Sequence, residues 1–137
     1  MKKNQKEIIV TTPSRIHLGF YGINNNYGYT YGSLGLAVNY FHTCVSISKS
    51  KRFNTNISKK IINPILEFIK LKKIPNKFTI NILENAPEHV GLGSGSQTTL
   101  SIGKALSNFF DLDMTLSDIA NIFKRGKRSG IGIATFN

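Results

Sequence analysis

The chain has 137 residues, of which 40% are hydrophobic, so its length fits one domain with a core of its own. Lys and Arg exceed Asp and Glu by 18 to 7, a formal net charge of +11. Its apolar runs are too short for a membrane span or a signal peptide, and Cys44 is the single cysteine, so we expect a cytoplasmic protein.

The positive charge has two explanations: a Lys- and Asn-rich surface that is merely well solvated, or an anionic ligand. Nucleic acid is the weaker choice of ligand, because the basic residues are scattered and no nucleic-acid-binding motif is present.

Strands are predicted at 7–20, 33–40 and 42–50, with a Gly- and Asn-rich connection at 22–32. Helical spacing of apolar residues follows at 58–73, with Pro64 in the first turn or at a kink, and 77–85 alternates as a strand. A second helix buries the apolar residues of 100–110, and a capping box, Thr115 with Asp118, opens a third.

The tail, 126–137, has strand-like composition and ends the predicted order β-β-β-α-β-α-α-β, which is an α+β layout. Because the chain ends on a new strand with no predicted partner, we expect it to be incomplete. We also expect the segment GIGIATF to expose apolar side chains.

The stretch GLGSGSQ, between the fourth strand and the second helix, places glycine at 91, 93 and 95. Glycines let an anion approach the free N–H groups at a helix start, and Ser94 and Ser96 add hydroxyl donors. The spacing matches neither the Walker A nor the Rossmann pattern. It predicts a phosphate cradle, with a purely structural turn as the alternative.

The segment from Pro87 to Ser94, P-x-x-x-G-L-G-S, resembles the phosphate loop of the GHMP superfamily, here placed at 87–97. TPSRIHLGFYG (12–22) resembles the first motif of that superfamily. With GLGSGSQ and RGKRSGIGIATF (125–136), these blocks together resemble the β-ribofuranosylaminobenzene 5′-phosphate synthase family. The resemblance implies a mixed sheet with helices on one face, like a ribosomal-protein βαβ domain. Because full-length members of that family are considerably longer, it also implies that the chain is an N-terminal portion, one domain over 1–137, with a C-terminal domain absent.

The resemblance also implies a decarboxylating transferase of methanopterin biosynthesis that uses phosphoribosyl pyrophosphate with 4-aminobenzoate or 4-hydroxybenzoate, requires Mg²⁺ and, at full length, forms a homodimer. A GHMP-type ATP-dependent kinase is the alternative. It is disfavoured because residues 98–110 hold no acid, and because 128–132 lack the aspartate that many such kinases carry there. A non-catalytic domain that binds polyanions is a second alternative.

The candidate residues fall into four groups, by the chemistry each would perform. Phosphate or pyrophosphate binding is assigned to Gly91, Gly93, Ser94, Gly95, Ser96, Gln97 and Lys104. Binding of a carboxylate or a second phosphate is assigned to Arg15, Arg125, Arg128 and Ser129. Catalysis is assigned to His17 and His89, and magnesium coordination to Ser94 and Glu88.

Each assignment competes with a structural role: a surface arginine at a strand edge, a structural histidine, or basic residues that compensate a helix dipole. Tyr27, Tyr29 and Tyr31 are candidates to cover an aromatic substrate, or else belong to a surface hairpin.

Overall fold

One face of a four-stranded sheet and three helices enclose the apolar core of the protein. The computed structural model describes residues 6–22, 32–127 and 129–136. The elements in chain order are β1 (Glu7–Tyr21), β2 (Gly32–Lys49), β3 (Asn54–Thr55), α1 (Lys59–Leu71), β4 (Phe78–Glu84), α2 (Ser94–Phe109), α3 (Leu116–Ile122) and α4 (Ile131–Ala134). The sheet order is β1–β2–β4–β3, with only the β3–β4 pair parallel. This mixed sheet confirms the predicted α+β class.

Helix α2 is the central element of the core. Leu100, Ile102 and Leu106 are fully buried, as the predicted apolar stripe requires, and polar residues on its other faces are buried as well. The helix contacts both β1 and β2 on the sheet side and packs against α1 and α3. Because it is enclosed on most sides, its N-terminus is held in one position relative to the sheet.

The two outer helices follow the sequence pattern closely. Helix α1 buries Ile65, Phe68 and Ile69, and Pro64 lies in its second turn rather than in the first. The capping box of α3 is present: the Thr115 hydroxyl accepts a hydrogen bond from the Asp118 N–H, and the Asp118 carboxylate accepts one from the Thr115 N–H.

The strands predicted at 33–40 and 42–50 form one continuous strand, β2. Its pairing with β1 jumps between Pro13, opposite His42, and Ser14, opposite Val38, so three residues of β2 are passed over. Proline has no N–H to donate to the ladder, and a bulge at this point lets both strands bend without separating. The prediction of two strands was wrong because the bend was taken for a break.

The tail is also different from its prediction, since residues 131–134 form the short helix α4 instead of a strand. This helix contacts β1 and β2 and does not extend the sheet. Instead Ile131 fills the space above Gly35 of β2, where a Cβ atom would lie 2.5 Å from it. Ile133 packs partly buried against the core.

The expectation that GIGIATF exposes its apolar side chains was wrong, because Ile131, Ile133 and Phe136 are half-buried. Apolar side chains that are more than half exposed include Leu18, Phe20, Leu34 and Leu36, where β1 ends and β2 begins (the exposed hairpin). Among the described residues no helix has the length and apolar character needed to cross a bilayer.

Candidate functional site

The N-terminus of α2 presents unpaired backbone donors. Gly93 is its N-cap, in the left-handed region at φ 68°, and its carbonyl accepts hydrogen bonds from the N–H groups of Ser96 and Gln97. The N–H groups of Ser94 and Gly95 find no acceptor in the described part of the chain. The first turn also lacks an acidic residue, so the positive end of the helix dipole is not neutralised locally.

The loop before α2 is held in an unusual path. His89 and Gly91 have φ values of 62° and 82°, a region in which glycine is favoured and histidine is uncommon. The carbonyl of Leu92 accepts a hydrogen bond from the N–H of Arg15, at 3.0 Å, which ties this loop to β1. The glycine spacing noted in the sequence is therefore required by backbone geometry at Gly91 and Gly93.

An open cleft of about 490 Å³ lies over this helix start. That volume is within the usual range of small-molecule sites. Seven of the predicted site residues line it together with Arg125: Glu88, His89, Gly91, Gly93, Ser94, Gly95 and Ser96. The structure thus brings most of the residues predicted to bind phosphate, together with Arg125, to the same cleft.

Sequence reasoning missed the other wall of the cleft, which is the beginning of α1. Ser58, Lys60 and Ile61 line it. Ser58 is the N-cap of α1 but makes no side-chain cap bond, and the first turn of α1 has no acidic residue. The only sequence signal was a pair of lysines at the start of a predicted helix, and nothing local shows that this helix start faces α2.

The charges around the cleft are mostly positive. Arg125 donates to the hydroxyl of Thr99 at 3.4 Å, and Thr99 donates to the carbonyl of Gly95 at 2.7 Å, so this guanidinium is tied to the first turns of α2. His89 is almost fully exposed and lies 3.9 Å from the carboxylate of Glu88. Lys60 and Arg125 carry positive charge, and together they make the cleft suited to an anion.

Arg15 packs against Gly93 and does not line the cleft. A Cβ atom on Gly93 would lie 2.6 Å from Arg15 Nε, and one on Gly132 would lie 3.3 Å from the same atom. The Nε atom is buried and has no hydrogen-bond partner among the described residues. Burial lowers the pKa of the guanidinium, because desolvation penalises its charged form. A buried donor of this kind is the arrangement that an incoming anion would satisfy.

His17 shares this side of the hairpin and does not line the cleft. Its Nε2 atom is also buried without a partner among the described residues, and its ring packs against Phe20 with centroids 4.5 Å apart. Two of the predicted site residues on β1 thus have unsatisfied buried nitrogen atoms within one short stretch.

Two residues assigned to phosphate binding do not reach the cleft. Gln97 is fully buried, and its amide is engaged by Thr12, Gly132 and Thr135. Lys104 lies ~15 Å further along α2 from Ser94, beside Asp111 and Asp113. Both assignments are corrected. Helical rotation directs the first residue inward, and the rise per residue places the second near the far end of the helix.

Ser129 has a local role, since its hydroxyl accepts a hydrogen bond from the N–H of Ile131 at 3.3 Å. Arg128, Tyr27, Tyr29 and Tyr31 lie outside the described residues, and their predicted roles stay predictions.

The donors in the cleft fit one mode of magnesium binding. Glu88 and Ser94 line the same cleft, and together they offer one carboxylate and one hydroxyl. Mg²⁺ is commonly held by one or two carboxylates together with substrate phosphates and water. The described residues include no group of three acidic, histidine or cysteine side chains that could hold a metal.

The model of the family described as the GHMP kinases N terminal domain matches residues 56–136. That match covers more than half of the chain. The chain belongs to this GHMP family. It is 32% identical to the β-ribofuranosylphenol 5′-phosphate synthase of Methanocaldococcus jannaschii, over 94% of this chain and 44% of that protein. It is 34% identical to the protein of the same name from Archaeoglobus fulgidus, over 92% of this chain and 41% of that protein.

The GHMP fold is also evident from solved structures. The mevalonate kinase of Methanococcus jannaschii superposes with a TM-score of 0.64 at 21% identity, over 96% of this chain and 52% of that chain. At that identity the likeness concerns the fold alone. The chain spans less than half the length of the two synthases.

Proposed function

We propose that this GHMP domain supplies the pyrophosphate-binding part of a phosphoribosyl-pyrophosphate-dependent transferase. The observation that carries the proposal is the cleft over α2, where free N–H groups of Ser94 and Gly95 face the same space as Lys60 and Arg125. The names of the two relatives support it, because each is a ribofuranosyl 5′-phosphate synthase.

The proposed reaction joins C1 of the ribose to the ring carbon that bears the carboxylate of a 4-substituted benzoate. The C1–O bond to pyrophosphate breaks, and the leaving group takes its electron pair. The carbon–carboxylate bond then breaks, CO₂ departs, and the electron pair left behind restores the aromatic ring. The products are the ribofuranosyl-benzene 5′-phosphate, pyrophosphate and CO₂.

The names of the relatives favour 4-hydroxybenzoate over 4-aminobenzoate. A ribofuranosylphenol carries a ring hydroxyl, which 4-hydroxybenzoate would retain after losing CO₂, whereas 4-aminobenzoate would give an aniline. The proposed aromatic substrate is therefore 4-hydroxybenzoate.

The residues of the cleft would act on the leaving group. Negative charge accumulates on pyrophosphate as the C1–O bond breaks, and preorganised donors lower the barrier most where charge develops. Backbone N–H groups at the α2 start and the hydroxyls of Ser94 and Ser96 would donate hydrogen bonds to it. Lys60 and Arg125 would supply charge. Magnesium, held by Glu88, Ser94 and pyrophosphate oxygens, would neutralise part of the remaining charge.

Arg15 would bind the other anionic group, either the benzoate carboxylate or the second phosphate. Its side chain packs against Gly93, the N-cap of α2, and does not line the cleft. Two anion contacts near one helix start would suit a reaction that brings together two anionic substrates.

The test uses the full-length gene product and measures the CO₂ that it releases from carboxyl-labelled 4-hydroxybenzoate. Phosphoribosyl pyrophosphate should be required and ATP should not replace it. Calorimetry with the chain alone should show phosphoribosyl pyrophosphate binding that pyrophosphate competes for. ATP-dependent phosphorylation of a small alcohol would instead establish a kinase, and retention on DNA that weakens steeply with salt would indicate a polyanion-binding domain.

A further inference from the structure

We propose that Gln97 is the positioning residue of this site, because it fastens α4 to α2 so that Gly132 holds the Arg15 side chain against Gly93. The position of Arg15 is a matter of the fold. Its use as an anion contact rests on the proposed function.

Gln97 connects three segments that are distant in sequence. Its Nε2 donates to the carbonyl of Gly132 at 3.2 Å and to the hydroxyl of Thr135 at 3.1 Å. Its Oε1 lies 3.4 Å from the hydroxyl of Thr12 in β1. The side chain is fully buried, so water cannot replace these partners. Loss of the Gln97 amide would leave the hydroxyls of Thr12 and Thr135 and the carbonyl of Gly132 without this partner.

Helix α4 depends on this connection. It has four residues, and a helix of that length is not stable by its own backbone hydrogen bonds. Thr135 links the Gln97 contact to the helix itself, since its hydroxyl is also 2.8 Å from the carbonyl of Ile131. Two of the three Gln97 contacts therefore act with the packing of Ile131 and Ile133 to hold α4 in place.

Two glycines, which have no side chains, pack against the Arg15 side chain. A Cβ atom on Gly93 would lie 2.6 Å from Arg15 Nε, and one on buried Gly132 would lie 3.3 Å from the same atom, so both glycine backbones pack next to this nitrogen. If α4 moved away, the Arg15 side chain would lose its contact with Gly132, and its Nε–H would become accessible to water. The hydrogen bonds of Gln97 thus act on Arg15 through Gly132, without direct contact.

The experiment follows the Nε–H signal of Arg15 by NMR in the chain, which requires no ligand. In the wild type, this buried proton should exchange slowly with water. Gln97→Met keeps the side-chain volume and removes the amide, and should speed that exchange about tenfold or more. The matched control is Ser101→Ala on the same helix, because the Ser101 hydroxyl is buried without a partner among the described residues. It should leave the Arg15 signal unchanged.

Thr135→Val removes one Gln97 contact and also the hydrogen bond from Thr135 to the Ile131 carbonyl. It covers the case in which Gln97→Met does not fold. It should speed the exchange to a smaller extent. A lower melting temperature with the slow Arg15 signal retained in either variant would show that Gln97 is merely structural and would overturn the proposal.

A second measurement tests whether the Gln97 contacts affect ligand binding through Arg15. The affinity for phosphoribosyl pyrophosphate or for 4-hydroxybenzoate, whichever of the two Arg15 binds, should fall in Gln97→Met, and this fall should disappear when Arg15→Ala is already present. An equal fall in both backgrounds would contradict action through Arg15. Failure of the wild type to bind either ligand would count against the proposed function alone, because the NMR readout is independent of it.

Discussion

Gly93 provides the most direct test of the geometry at the helix start. Its φ of 68° is strained for any residue with a Cβ atom, at a cost of about 1–2 kcal/mol. A Cβ there would also lie 2.6 Å from Arg15 Nε and 2.7 Å from Arg15 Cγ. Because Cγ is near the root of the side chain, Arg15 could avoid the contact only by changing rotamer or by moving the loop. Such overpacking costs about 1–3 kcal/mol more.

Two neighbouring glycines separate these contributions. Gly91 has φ 82° but open space around its would-be Cβ, so Gly91→Ala should cost only the backbone strain. Gly95 has neither a positive φ nor a close neighbour, so Gly95→Ala should leave stability unchanged or raise it by up to ~1 kcal/mol. The expected order of unfolding free energies is therefore Gly95→Ala highest, then Gly91→Ala, then Gly93→Ala.

Urea unfolding of the three variants measures this order, and calorimetry with phosphoribosyl pyrophosphate measures its effect on the site. We expect Gly93→Ala to bind at least tenfold more weakly, because displacement of the first turn would break at least one hydrogen bond to a charged ligand, worth about 1.5–3 kcal/mol. If Gly93→Ala matched Gly91→Ala in both stability and affinity, the contact between Gly93 and Arg15 would have no energetic importance.

Three further predictions follow from other parts of the fold. Lys60→Ala should weaken pyrophosphate binding severalfold and reduce its salt dependence, whereas the control Lys70→Ala, at the other end of α1, should do neither. Hydrogen bonds from Thr115 lower the pKa of Asp118 below its usual 3.8, so the ionised carboxylate stabilises α3 above that pH. The destabilisation by Asp118→Asn should therefore be constant near neutral pH and shrink as pH falls through the lowered pKa; a pH-independent difference in urea midpoint would refute this. Leu36→Lys on the exposed hairpin should reduce self-association in light scattering, and equal scattering would show that this surface is not adhesive.

Local sequence determined the elements whose stabilising interactions are close along the chain. The apolar spacing of α1 and α2 and the Thr115–Asp118 box each predicted a helix that the structure contains. The glycines at 91 and 93 stood out in the sequence, and both have a positive φ that is rare for other residues. In each case the cause is periodicity, capping or sterics within a few residues, which a sequence displays directly.

The tertiary structure decided the features that depend on distant partners. The tail has strand composition, but this segment packs over Gly35 as a helix and does not pair with the sheet. Gln97 faces inward because Gly132 and Thr135 bond it there, some 35 residues away. Lys60 joins the cleft only because α1 and α2 begin side by side, and Arg15 meets Gly93 only because β1 lies against the loop. Contacts between segments far apart in the chain leave no periodic trace in either segment, so three-dimensional packing alone reveals them.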